Sequence, residues 1–152
     1  MYYKKSLAKI LKIIIYLLMV VLLFLMLALV IQVSEGTINL FEFIPRFLFS
    51  GGIVVILFFI KRFVDSIVNK DPFSKKNIVH FKYIGYVLFV FAAIDLLVNL
   101  KTFSGFMIIS WQPYFAIHMS FYMYIAFGIF SLILSEVFRQ AYDVKKENDL
   151  TI

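Results

Sequence analysis

Apolar residues run along this chain in four long blocks, separated by short polar segments. The blocks cover about residues 10–31, 44–62, 83–100 and 114–136. As a helix the first is about 33 Å long, and a bilayer hydrocarbon core is roughly 30 Å thick. The pattern predicts four transmembrane helices, and the short links favour an up-down bundle of antiparallel neighbours. We therefore expect an all-α membrane protein forming a single domain over residues 1–152.

The second block is the least regular of the four. It is strictly apolar only from Phe47 to Ile60, with Pro45 and Arg46 before it and Lys61 after it. Proline suits the first turn of a helix, where its missing N–H is not needed. The long basic side chains can direct their charges to the membrane interface. We therefore expect the second helix to begin beside Pro45.

Composition supports a membrane protein over a soluble one. Hydrophobic residues make up 63% of the chain and charged residues 16%, whereas soluble domains carry roughly 25% charged residues. A soluble fold of this size could not remove so much apolar surface from water. The chain has no cysteine, which excludes a disulfide scaffold and a thiolate metal site.

The basic residues predict the orientation in the membrane. Thirteen of the fifteen lie before residue 13, between residues 61 and 82, or after residue 138, leaving only Arg46 and Lys101 elsewhere. The positive-inside rule places the thirteen in the cytoplasm. We expect a multi-pass plasma-membrane protein with both termini, loop 63–82 and tail 137–152 cytoplasmic. The positive-inside rule already accounts for the basic residues, and no nucleic-acid-binding module is recognisable. The net positive charge therefore does not indicate direct nucleic-acid binding.

The middle loop has the local signals of a defined structure. Pro72 disfavours helix at Asp71, so the second helix should end before it. Ser74 is a suitable N-cap for the third helix, and Phe73 and Ile78 have the spacing of a hydrophobic staple. Asn77 lies where a capping box would have Glu or Gln, so the box is incomplete. These signals predict a shaped loop rather than a linker.

Three segments of the chain resemble a known family. Residues 69–77 (Asn-Lys-Asp-Pro-Phe-Ser-Lys-Lys-Asn), residues 83–86 (Tyr-Ile-Gly-Tyr) and the ending Glu-Asn-Asp-Leu-Thr-Ile are similar to small bacterial four-pass membrane proteins classed as domain of unknown function family 2975. No catalytic residues are established for that family. Its genes often lie beside one for a small helix-turn-helix regulator, so the resemblance implies such a regulator as a partner.

Three polar residues lie within the predicted spans. Asp95 and Asn99 are one turn apart on the third helix, and His118 should lie at comparable depth on the fourth. Ionisable groups inside a membrane are costly and mark functional sites by default. An Asp95–His118 pair would suit proton coupling or pH sensing. The alternative is a hydrogen-bonded clamp that joins the helices.

Enzymatic chemistry has no recognisable basis in the sequence. No serine lies in a G-x-S-x-G turn, and the two histidines, His80 and His118, are predicted on opposite sides of the membrane. Without cysteine, neither can complete a tetrahedral metal site. We expect no catalytic residue, metal or cofactor.

The favoured function is a non-enzymatic membrane anchor or regulator of a cytoplasmic transcription factor. Two segments are candidates for docking that partner: the middle loop and the end of the tail. Their residues are Asp71, Phe73, Ser74, Lys75, Lys76, Asn77, Asp149, Leu150, Thr151 and Ile152. One alternative is a transporter or channel subunit using Asp95, which four thin helices could form only as a homo-oligomer. Another is an immunity protein against a membrane-active peptide.

The predicted topology is testable with introduced cysteines, because the chain has none of its own. Cysteines at Ser74 and Asn148 should be protected from an impermeant thiol reagent in intact cells, whereas one at Thr37 should react. Labelling is read before and after the cells are opened. Reaction at Ser74 in intact cells would invert the orientation.

Overall fold

The chain forms four long helices and one small sheet. A computed structural model describes residues 2–99, 107–111 and 115–150. Its elements are α1 (Tyr2–Ser34), α2 (Leu40–Val68), α3 (Lys75–Asn99), β1 (Met107–Trp111), β2 (Phe115–His118) and α4 (Met119–Leu150). All four helices are long and apolar enough to cross a membrane. The predicted four-helix membrane fold is confirmed.

The start of α2 differs from the prediction. The helix begins at Leu40 because the side chain of Asn39 caps it: Asn39 Oδ1 accepts a hydrogen bond of 2.9 Å from the N–H of Glu42. Pro45 consequently lies in the helix interior and not in its first turn. The sequence signal for this start is Asn39 followed three residues later by Glu42, which resembles a capping box.

Two helices end in the same type of hydrogen-bonded turn. After α1, Thr37 N–H bonds Gln32 O at 3.0 Å and Gly36 N–H bonds Val33 O at 3.1 Å. After α2, Asp71 N–H bonds Ser66 O at 3.0 Å and Lys70 N–H bonds Ile67 O at 3.2 Å. Both are Schellman motifs, which need a left-handed residue after the C-cap.

The residues at the left-handed position differ between the two turns. Gly36 has φ of 69° and Lys70 has φ of 59°. Glycine adopts this conformation without a Cβ clash, whereas lysine is strained there. Pro72 follows two residues after Lys70, where proline commonly prevents the helix from continuing. The predicted end of α2 before Asp71 is confirmed.

Successive helices run in opposite directions. Ala8 and Ile15 of α1 form a buried cluster with Val64 of α2, and Lys12 forms an ion pair with Asp65. We call the end of the bundle with residues 69–74 the loop end, and the end with β1 and β2 the sheet end. The beginning of α1 and the end of α4 both lie at the loop end. The thirteen basic residues that the positive-inside rule assigns to one side of the membrane also belong to this end.

The closest helix packing is between α3 and α4, along small residues. A Cβ added to Gly85 would lie 2.9 Å from Leu132 Cδ2 and 3.1 Å from Gly128 O. Ser131 and Ser135 are buried on the facing side of α4, and Ala92 is buried on α3. These small residues let the two helices approach closely, although Ala93 is exposed.

Aromatic rings join α2 to this pair. Phe49 of α2 contacts Phe91 of α3 and Tyr124 of α4, with ring centroids 4.8 and 5.8 Å apart. Nearer the loop end, the rings of Phe63 and Phe138 are 5.4 Å apart. Helices α2, α3 and α4 therefore share contacts, while α1 packs on α2.

The fourth span does not follow the predicted bounds. Residues 115–118 are a strand, paired antiparallel with β1 so that Trp111 and Phe115 are register partners. The apolar run from residue 114 indicated only burial in lipid, and hydropathy does not separate strand from helix. The helix then continues through the predicted tail to Leu150. Its 32 residues are about 48 Å long, well beyond a hydrocarbon core of roughly 30 Å, so its last turns project past the bilayer at the loop end.

The close α3–α4 approach predicts opposite effects for two glycine substitutions. Gly85→Ala should destabilise the fold by about 1–3 kcal/mol, because its methyl group would overlap Leu132 and Gly128. Gly51→Ala is the matched control, since its Cβ would meet only Met26 Cε at 4.0 Å. Helix propensity alone favours alanine by about 1 kcal/mol. The measurement is unfolding in mixed detergent micelles, and equal stability of the two variants would contradict the packing.

Candidate functional site

The loop end is held together by a buried asparagine. Asn77 is 1% exposed, and its Nδ2 donates to Ser66 Oγ at 2.6 Å and to Pro72 O at 2.7 Å. Ser66 Oγ in turn donates to Phe63 O at 2.7 Å. One amide group on α3 thus fixes both the last turns of α2 and the loop. Asn77 lies in the wall of the cleft described below, but at 1% exposure its side chain presents almost no surface to a docking partner.

The projecting part of α4 is fixed to the same loop. Lys145 Nζ donates to Asp71 Oδ1 at 2.9 Å, and the Phe73 ring lies 5.6 Å from the Phe138 ring. The hydrogen bond to Asp71 raises the pKa of Lys145 above its ordinary value. Lys145 therefore stays charged well above neutral pH. These contacts bring together the loop and the tail, which are separated by more than 60 residues in sequence.

A charged cleft of about 740 Å³ opens between the loop-end parts of α2, α3 and α4. We call it the basic cleft. Its ionisable lining consists of Arg62, Lys75, Lys76, Lys145, Lys146, His80, Asp65, Asp71, Asp149 and Tyr142. Positive groups outnumber negative ones, so the cleft attracts anions.

An apolar groove of about 640 Å³ lies beside this cleft, on the projecting part of α4. Val137, Ala141 and Val144 follow one another at intervals of four and three residues, which places them on one helix face. Phe73 of the loop completes the groove. Phe73, Val137 and Val144 are 41%, 51% and 57% exposed. We call this surface the apolar groove.

Most of the predicted docking residues lie around these two surfaces. Asp71, Ser74, Lys75, Lys76 and Asp149 line the basic cleft, and Phe73 and Asp149 line the apolar groove. Leu150 ends α4. Thr151 and Ile152 lie outside the described residues. Sequence reasoning missed the lining residues on the helices themselves, above all Arg62, His80 and Lys146.

The intramembrane carboxylate lies between α3 and α4. Asp95 is 6% exposed. Its Oδ1 accepts a hydrogen bond of 3.0 Å from Asn99 Nδ2, and the Ser120 hydroxyl of α4 lies 2.9 Å from both carboxylate oxygens. Asp95 and Asn99 thus interact across one helical turn, in keeping with their spacing in the sequence. His118 ends β2, and its pairing with Asp95 stays a prediction.

Ser120 belongs to a series of serines that fasten α4 to α3. Ser131 Oγ donates to Phe81 O and Ser135 Oγ donates to Ile78 O, each at 2.8 Å. In lipid such hydroxyls have no water to bond, so they join neighbouring helices. The Ser120–Asp95 contact is the sheet-end member of this series. Because the other serine contacts of this series join helices, the series supports the clamp interpretation of Asp95.

Within residues 2–99, 107–111 and 115–150, no three His, Asp or Glu side chains converge as a metal site would require.

The clamp interpretation predicts how Asp95 responds to substitution. Asp95→Asn should keep the stability within about 0.5 kcal/mol, because its amide can still accept from Asn99 and exchange a hydrogen bond with Ser120. Asp95→Leu should lose about 1–2 kcal/mol, and Ser120→Ala about 0.6 kcal/mol. Unfolding in mixed micelles measures all three. Equal losses for Asn and Leu would show that the charge itself is required.

Comparison with known proteins gives one match. No curated protein and no solved structure is significantly similar to the chain. The family model described as "Protein of unknown function (DUF2975)" matches residues 47–152. The match begins inside α2 and covers α3, the sheet and α4, including both loop-end surfaces and the Asp95 site. This integral membrane protein therefore belongs to the DUF2975 family.

Proposed function

We propose that this protein is a non-enzymatic membrane anchor that holds a cytoplasmic regulatory protein at the plasma membrane. The loop end faces the cytoplasm in this proposal, as the thirteen basic residues there favour under the positive-inside rule. The partner is a small helix-turn-helix transcription factor, as the family resemblance of the loop and tail implies.

The observation that carries the proposal is the fixed, projecting end of α4. A terminal segment is usually disordered unless other contacts hold it. Here the segment stays helical to Leu150, and the Lys145–Asp71 hydrogen bond ties it to the loop. A surface that is already ordered loses less conformational entropy when a partner binds. The loop end is thus suited to binding outside the bilayer.

The apolar groove determines the kind of contact that this surface can make. Val137, Ala141 and Val144 form a stripe beside Phe73, with Lys145 and Asp149 at its edge. Amphipathic helices bind grooves of this type through side chains spaced three and four residues apart. A helical regulator could place one such helix along the groove. The segment Leu150-Thr151-Ile152, which is predicted to dock the partner, follows Asp149 in the sequence and would add a second contact.

A small oligomeric transporter or channel subunit is the second candidate. It is favoured by the burial of Asp95 inside a span, since such groups line proton and ion pathways. Loss of flux in an Asp95→Asn variant that remains folded would favour this candidate over the anchor.

The anchor proposal is tested through the membrane-bound fraction of the partner. The regulator is first recovered with the wild-type chain in mild detergent from its native membrane. A Phe73→Ala, Val144→Ser variant should then lower its membrane-bound fraction at least about fivefold, as expected for loss of a central apolar contact.

Val79→Ser is the matched control. Val79 is also an exposed valine near the loop end of its helix, 46% exposed, but it does not line the groove. This variant should retain the regulator as the wild type does. A membrane-bound fraction unchanged by the groove variant would contradict the proposal.

A further inference from the structure

The basic cleft has more positive charge than its own carboxylates can neutralise. Asp65 is paired with Lys12 and Lys61, and Asp71 is paired with Lys145. Two of the three carboxylates in the lining are therefore already occupied. Among the described residues, Arg62, Lys75, Lys76 and Lys146 line the cleft without an ion-pair partner. The Lys75 ammonium lies over the Tyr142 ring and the Arg62 guanidinium over the Phe58 ring. All four basic residues line one concave surface.

His80 adds a polar group at the wall of this cleft. Its ring stacks on Phe59 with centroids 5.0 Å apart, and its Nδ1 has no hydrogen-bond partner within the described part of the chain. Buried polar atoms of this kind are uncommon in native structures and call for an explanation. Arg62 and Lys76 both impose a positive potential on the ring. An anion in the cleft would lower that potential and give the imidazole an acceptor.

If the apolar stretches of the helices occupy the hydrocarbon core, the cleft lies beside the lipid headgroups. Lys61 and Arg62 follow directly on the apolar stretch of α2 that ends at Ile60, and α3 begins at Lys75 on the other side of the cleft. Headgroup layers occupy the outermost several ångströms of each leaflet. Basic pockets between transmembrane helices at this depth bind phosphate-bearing lipid headgroups. A volume of about 740 Å³ is ample for one such group.

We infer that the basic cleft is a binding site for the phosphate group of an anionic phospholipid, held by Arg62, Lys76, Lys146 and His80. The same charges would attract a free phosphate ion, but the depth of the cleft favours a headgroup anchored in the bilayer. The inference is independent of the proposed protein partner, because it concerns the purified chain alone. The apolar groove used for that partner lies on the adjacent face of α4 and shares Lys145 and Asp149 with the cleft, and the variants tested below leave both of these residues unchanged.

The test uses the purified full chain in phosphatidylcholine nanodiscs. Short-chain phosphatidylglycerol is added, and bound lipid is counted by native mass spectrometry. Wild type should bind saturably, with one lipid per chain. An Arg62→Gln, Lys76→Gln, Lys146→Gln variant should bind at least about tenfold more weakly, since each basic group near a membrane surface contributes measurably to anionic-lipid affinity.

The matched control removes the same charge elsewhere at the loop end. Lys9, Lys70 and Lys82 do not line the cleft, and changing all three to glutamine should alter the affinity less than about twofold if the site is specific. Equal weakening by both triple variants would show diffuse attraction and overturn the inference. His80→Phe keeps an aromatic ring against Phe59 and removes the imidazole nitrogens. It should weaken binding by about threefold, the effect of one lost polar contact.

A separate arm distinguishes the two sources of phosphate. Inorganic phosphate is titrated against the same nanodiscs, with and without phosphatidylglycerol. Weak competition by phosphate against bound lipid supports a headgroup site. Saturable binding of inorganic phosphate without any binding of the lipid would overturn the lipid assignment, and so would the absence of saturable lipid binding to the wild type.

Discussion

The hydrocarbon core contains no water to hydrogen-bond an unpaired polar group or to drive apolar helices together. The helices satisfy their own backbones, so their association depends on close packing and on the few polar contacts between them. Along α3 and α4, Gly85 and Gly128 supply the close packing, and Asp95, Ser131 and Ser135 supply the polar contacts. The α3–α4 contact therefore fixes the relative positions of the elements at the loop end and at the sheet end. At the loop end it sets where α3 begins and where α4 leaves the bilayer.

The surfaces at the loop end follow from that placement. Asn77 is carried by the first turn of α3 and fixes the end of α2 and the loop. Lys145 is carried by the projecting part of α4 and reaches Asp71 of the loop. The basic cleft and the apolar groove lie on adjacent faces of that projecting helix segment and share Lys145 and Asp149. The cleft continues toward Arg62, where the apolar stretch of α2 ends, whereas the groove lies along the projecting part of α4.

The sequence predicted the elements that depend on hydropathy and on local turn chemistry. The four spans and the end of α2 before Asp71 belong to this group. Hydropathy could not separate the strand at 115–118 from the helix after it, because both are apolar. It also could not show that α4 continues to Leu150, since a polar helix and a polar tail look alike without a partner. The burial of Asn77 depends on Ser66 and Pro72, and the role of Ser120 depends on Asp95, so both required tertiary placement.

Helix α1 contacts the rest of the bundle through α2, at Ala8, Lys12 and Ile15, and the family match begins after it, at Phe47. The three helices α2, α3 and α4 pack among themselves without it. An odd number of crossings, however, leaves the two ends of a chain on opposite faces of a bilayer, and α1 makes the number even. The first helix of a membrane protein also usually sets the orientation of those that follow. We therefore expect the helix that contributes least to packing in the finished fold to act mainly during insertion, by setting which face of the membrane receives the loop end.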